Sequence, residues 1–203
     1  MQISNKQLPQ VKALFHFIGL APIALLFYQV FTHQVGGEPV EYIIHYTGMG
    51  TINALVAVLL ISPIAKHFKQ AVLMKTRRLV GLYVFAYASL HILSFISLDL
   101  LFEWQLLFSE ILKRPYIIVG MLAYIILTLL ALTSINKIKR KMGRQWQRLH
   151  NFIYAAALLT PVHFYWSVKS EIIEPSIYIA LMIALLLVRL KWRRGNASQL
   201  QPK

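Results

Sequence analysis

The sequence predicts an all-α integral membrane protein, a six-helix transmembrane bundle with both termini on the cytoplasmic side. Three observations carry that expectation. Hydrophobic residues make up 58% of the 203-residue chain and charged residues only 14%, which excludes an ordinary soluble domain. Six apolar runs, each near the ~20 residues that a helix needs to cross a hydrocarbon core, follow one another with short polar connections. The charges are also sorted: basic connections alternate with acidic ones.

The spans are expected at residues 11–31, 44–64, 79–98, 116–135, 149–168 and 176–192. The first follows Lys6 and Lys12, as a secretory leader would, but no small-residue cleavage site interrupts the run to Phe31, so it reads as a retained span. Lys66 to Arg78, Lys137 to Arg148 and the tail Arg189 to Arg194 are basic. Glu38, Glu41, Asp99, Glu103, Glu110, Glu171 and Glu174 all fall in the alternate connections. That partition fixes the orientation, with spans three and five both running from inside to outside. Residues 100–112 repeat their apolar positions at helical spacing and predict an amphipathic helix lying in the outer interface. Trp146, Trp166 and Trp192 sit near span ends, as in an aromatic belt. No internal repeat is strong enough to use, and nothing remains for a second domain.

The net charge of +14 follows from this topology and from attraction to anionic membrane lipid; with no basic module outside the loops, no nucleic acid partner is expected. The absence of cysteine excludes disulfides, iron–sulfur clusters, thiol catalysis and covalently attached c-type haem.

Histidines inside the apolar runs need a reason, because ionisable groups in the bilayer core are costly. His91 lies in the outer half of span three and His163 in the outer half of span five. Parallel spans put them at similar depth, where two neutral imidazoles can supply both axial ligands of a non-covalent haem b. The plain alternative is a buried histidine bonded to a neighbouring helix. His150 lies 13 positions before His163, about 20 Å along a helix, at the inner end of the same span. The corresponding positions before His91 hold Arg77 and Arg78, which do not deprotonate and are poor iron ligands; they suit a haem propionate or a flavin phosphate. An inner site would be completed by His16, by water, or not at all. His45 is either a further ligand at the outer level or an interfacial polar residue, and His33 and His67 read as solvated. Positions 13 apart differ by about 140° on an ideal helix, and Pro161 offers a local rewinding that would turn His163 inward.

A proton-coupled transporter is disfavoured, since such relays use intramembrane carboxylates and every acidic residue here is in a connection. With no GxGxxG following a strand and no soluble domain, the electron donor and acceptor are both expected to be external. The chain then reads as a non-catalytic electron-transfer subunit whose histidines hold cofactor.

Several stretches add a resemblance. Lys75-Thr76-Arg77-Arg78-Leu79-Val80-Gly81, the run from Tyr87 to His91, Arg114-Pro115-Tyr116, Trp146-Gln147-Arg148-Leu149-His150-Asn151-Phe152 and Pro161-Val162-His163-Phe164-Tyr165-Trp166-Ser167-Val168-Lys169 resemble the MsrQ family, formerly YedZ, over almost the whole chain. The resemblance implies a six-span cytochrome b of the ferric-reductase and NADPH-oxidase transmembrane class in the bacterial inner membrane. It implies electron input from membrane quinol or a cytoplasmic flavin reductase, and delivery to MsrP, a periplasmic molybdopterin enzyme that reduces methionine sulfoxide in oxidised proteins. It also implies that His91, His150 and His163 are haem ligands and that FMN is bound, at residues the sequence does not assign. Arg77-Arg78 departs from the wider class, which carries its inner histidine there. A direct transmembrane ferric or other metal reductase is the alternative within electron transfer.

Overall fold

The structure is a computed structural model that describes residues 4–168 and 170–198, and these are helical throughout apart from short connections, with no strand among them. Lys169 and the side chain of Trp192, which enter the sequence reading, lie outside the described residues. In chain order the helices are α1 (Leu8–Phe31), α2 (Pro39–His67), α3 (Arg77–Ser94), α4 (Trp104–Lys113), α5 (Pro115–Leu132), α6 (Asn136–Met142), α7 (Arg144–His150), α8 (Ile153–Ser167) and α9 (Ile173–Ser198). Prolines open α2 and α5, where the missing N–H costs nothing and φ is already helical. His33 and Lys69, both at φ 54°, turn the chain after α1 and α2.

Five stretches are long and apolar enough to cross a membrane: Asn5–Phe31, Pro39–His67, Ala71–Asp99, Pro115–Leu132 and Ile173–Lys191. The protein is therefore a multi-pass membrane protein. The fifth expected span, 149–168, differs from the expectation: it is divided between α7 and α8, and α8 has 15 residues. That length corresponds to roughly 22 Å, less than a hydrocarbon core of about 30 Å. The division is a tightened turn. Asn151 and Phe152 keep right-handed helical angles, but the Phe152 N–H bonds back only three residues, to the Leu149 carbonyl at 2.9 Å, a 3-10 pattern.

The core forms around α2. Thr47, Thr51, Ile52, Leu55, Val58, Leu59 and Ile61 are buried along it at three- and four-residue spacing, the period of a helix face. α2 packs chiefly on α3, and α5 packs chiefly on α8, which in turn meets α9. Leu127, Ala156, Ala157, Met182 and Leu185 join the α2–α3 residues in one apolar cluster. Close approach is built in at Gly50, where an added methyl would run into the Tyr87 ring. α1 buries only Leu26 and leaves Phe17, Phe27 and Phe31 exposed, a surface suited to lipid.

Polar groups inside such a bundle need internal partners. Hydroxyls of Thr47, Thr51, Ser89, Thr128 and Thr160 donate to carbonyls one turn back. Pro63 cannot donate to the Leu59 carbonyl. Arg189 Nη2 takes the vacant place, at 2.8 Å.

Within the stretch 100–112, expected to be an amphipathic helix, the structure has α4, starting at Trp104. Leu101 and Phe102 hold positive φ of 48° and 62° after a π-helical turn at Phe95–Asp99, so the helix cannot begin earlier. Trp104, Phe108 and Leu112 are exposed along one face, and Arg114 closes its end with an ion pair to Glu110.

Candidate functional site

α3 and α8 bring His91 and His163 together, with ring centroids 6.1 Å apart and planes at 81°. Each ring is tied to the neighbouring helix through Nδ1: His91 to the Ile44 carbonyl of α2 at 2.9 Å and His163 to the Tyr116 carbonyl of α5 at 2.7 Å. A carbonyl only accepts, so each Nδ1 carries a proton, and in the neutral ring Nε2 keeps its lone pair. Both imidazoles are thus held in a fixed orientation through Nδ1, the arrangement a metal-ligating histidine requires.

The backbone frames are equivalent. The tethering carbonyl lies 47 residues before its histidine in both cases. A glycine stands one turn beyond each carbonyl and faces the ring: a methyl at Gly48 would sit 3.2 Å from His91 Nδ1, and one at Gly120 would sit 2.7 Å from His163 Nδ1. Ile44, Gly48 and His91 therefore map onto Tyr116, Gly120 and His163, each 72 positions later. The sequence alone offered no usable repeat; the structure shows one at these three positions.

The residues fit a haem iron on two grounds. A metal–imidazole bond of about 2 Å at each ring, added to the ring radii, gives a centroid separation of roughly 6 Å, matching the pair. The donor set also fits: His91 and His163 would hold the iron through their Nε2 atoms, each ring tethered through Nδ1.

The other expected residues fall elsewhere. His150, at the end of α7, stacks on Trp146 with centroids 3.9 Å apart and planes at 27°. Its Nε2 lies 3.1 Å from Thr133 Oγ1. That hydroxyl donates to the Leu129 carbonyl at 2.6 Å, so it accepts from the imidazole and holds the proton on Nε2. His150 has aromatic and hydroxyl neighbours, not a second imidazole. Arg78 is exposed and donates to Asn136 Oδ1 at 2.7 Å. Arg77 is half-buried and lies within electrostatic reach of His150, Tyr154 and Arg189. His16 is exposed on α1, with Nδ1 2.8 Å from the Tyr83 hydroxyl. His45 is also exposed, its ring 5.8 Å from Phe164. The structure thus assembles the His91–His163 pair and keeps His16, His45 and His150 out of it.

Sequence reasoning missed the two carbonyls, the two glycines, Thr133 and Arg189. Pro63, which strands the Leu59 carbonyl, was the one signal that a donor had to come from another helix.

Comparison with known proteins adds one positive finding. Residues 47–161 match the family described as Ferric reductase like transmembrane component. The matched stretch is more than half of the chain and holds Gly48, Arg77, Arg78, His91, Gly120 and His150. No solved structure matches the chain.

Proposed function

The chain belongs to the ferric reductase like transmembrane component family, a membrane redox class, and from that premise we propose that it is a haem b subunit carrying electrons across the bacterial inner membrane. The observation that supports this most is the His91–His163 pair, 6.1 Å apart, with both Nδ1 atoms tethered to carbonyls. When bound there, haem supplies one-electron redox chemistry. The chain's own work is to hold and orient. His91 and His163 present Nε2, the Ile44 and Tyr116 carbonyls fix the ring orientation, and Gly48 and Gly120 admit the rings against α2 and α5. Both rings are half-buried in the bundle.

In this reading the chain crosses six times with both termini in the cytoplasm, α7 and α8 together making the fifth crossing, so His91 and His163 sit toward the periplasm. Electrons come from membrane quinol or a cytoplasmic flavin reductase. They leave to a periplasmic molybdopterin methionine-sulfoxide reductase of the MsrP kind, in support of protein repair. His150 is a ligand of a second, inner haem once freed from Thr133, and FMN binds on the cytoplasmic side. The test is spectroscopic. Purified protein reconstituted with haem should show a Soret band that shifts on reduction, and a protein that takes up no haem would overturn the proposal.

A second reading, reduction of a metal ion directly at the outer face, is favoured by the family description and by the acidic connections at Asp99, Glu103 and Glu110. Co-purification with a periplasmic molybdoenzyme supports the first reading. Ferric reduction by the isolated chain supports the second.

A further inference from the structure

Arg77 and Arg189 stand apart from the histidine pair, and the Nε of each is buried without an acceptor. Arg189, near the end of α9, is only 8% exposed. Its Nη1 donates to the Tyr154 hydroxyl at 3.1 Å and its Nη2 to the Leu59 carbonyl at 2.8 Å and Ser62 Oγ at 3.2 Å. The guanidinium carbon lies 5.6 Å from the Tyr154 ring centroid. Its Nε is buried and has no acceptor. Arg77, the first residue of α3, interacts electrostatically with both Arg189 and Tyr154, and its own Nε is also buried without an acceptor. α3 opens on Arg77 and Arg78 with no acidic residue in its first turn, the opposite sign to that favoured by the helix dipole.

Charge counting shows the arrangement to be incomplete. A guanidinium stays protonated in proteins, and two of them beside one tyrosine repel. A buried charge is tolerated when it is paired. Among the described residues neither guanidinium is shown paired with a carboxylate; the ion pair seen elsewhere joins Arg114 to Glu110.

We propose that Arg77 and Arg189 together bind one oxyanion group, a phosphate or a carboxylate, carried by an amphiphilic molecule held where α3, α8 and α9 meet. Guanidinium forks suit either group, through charge-assisted hydrogen bonds from Nε and the terminal nitrogens. Two membrane-soluble carriers have this chemistry: an anionic phospholipid and a haem through its propionate. The second rests on the inner haem of the proposal above, because Arg77 lies 14 residues, about 21 Å along α3, before His91; the first does not.

Two measurements on the full chain distinguish them, each made on wild type, Arg77→Gln and Arg189→Gln. One is native mass spectrometry with added dioleoyl phosphatidylglycerol. The other is reconstitution of haem-free protein with haem or with haem dimethyl ester, whose propionates are blocked. A lipid ligand predicts about 10-fold weaker lipid retention in the variants, with haem uptake unchanged. A propionate ligand predicts about 10-fold weaker uptake of the diester than of haem by wild type, and no such difference in the variants. Arg189→Gln strands the Leu59 carbonyl and risks misfolding, so Arg77→Gln decides. Unchanged lipid retention together with an unchanged haem-to-diester ratio in that variant overturns the site. If no form takes up haem, the haem proposal fails by itself and the lipid measurement alone decides this one.

Discussion

The layer containing His91 and His163 and the layer thirteen positions earlier in each hairpin hold matching sequence positions, yet only the first is symmetric: Arg78 lies in the first turn of the continuous α3, whereas His150 closes α7 before the turn into α8. In the first, a carbonyl, a glycine one turn on and a histidine recur 72 positions apart, and the two rings meet with their planes at 81°. In the second, Arg78 and His150 occupy equivalent positions and do different things: Arg78 is exposed and bonded to Asn136, while His150 stacks on Trp146 and bonds to Thr133. The comparison teaches that the α2–α3 and α5–α8 pairs share a frame at the level of the two histidines, and that backbone and side-chain chemistry together decide what each level holds.

Substitutions that strain one half more than the other sharpen this comparison, and Gly120→Ala is expected to have the largest effect. Its methyl would lie 2.7 Å from a ring atom already fixed by the Tyr116 carbonyl. Overpacking of about 1–3 kcal/mol outweighs the gain of up to ~1 kcal/mol in helix propensity. Thermal unfolding should drop, and the absorbance of haem at this site should weaken. Thr133→Val comes next. Removing the acceptor from His150 should cost about 1 kcal/mol in thermal unfolding and leave spectra of the His91–His163 site unchanged. Gly48→Ala should be nearly neutral, because 3.2 Å asks only a small shift of His91 and the propensity gain offsets it. Equal losses in Gly48→Ala and Gly120→Ala would break the comparison. Arg78→Ala, at an exposed position, should change stability by no more than ~0.5 kcal/mol.

The sequence made the membrane class and four of the long helices legible at close to their real bounds, because apolar runs report burial in lipid directly. It read the fifth span as one helix because the turn at Asn151 and Phe152 involves no glycine or proline. Just before its i to i−3 bond to Leu149, the Trp146 indole N–H donates to the Thr133 carbonyl at 2.9 Å, a contact with another helix that local sequence does not announce. The pairing of His91 with His163 was legible from parallel direction and depth. The tethers at Ile44 and Tyr116 were not, since a backbone acceptor leaves no side-chain signature. The two frames share Gly48 with Gly120, Met49 with Met121, Leu55 with Leu127 and Ser62 with Ser134, too sparse a set to stand out before the helices were seen together. Arg189 read as part of a basic tail; its burial follows from the carbonyl that Pro63 leaves open.

The central claim is that His91 and His163 act as one pair on one iron. Low-temperature EPR of haem-loaded His91→Ala and His163→Ala tests it most directly. Each variant is predicted to lose the same low-spin signal and to regain it in part with added imidazole. A low-spin signal that survives intact in either variant would contradict the account.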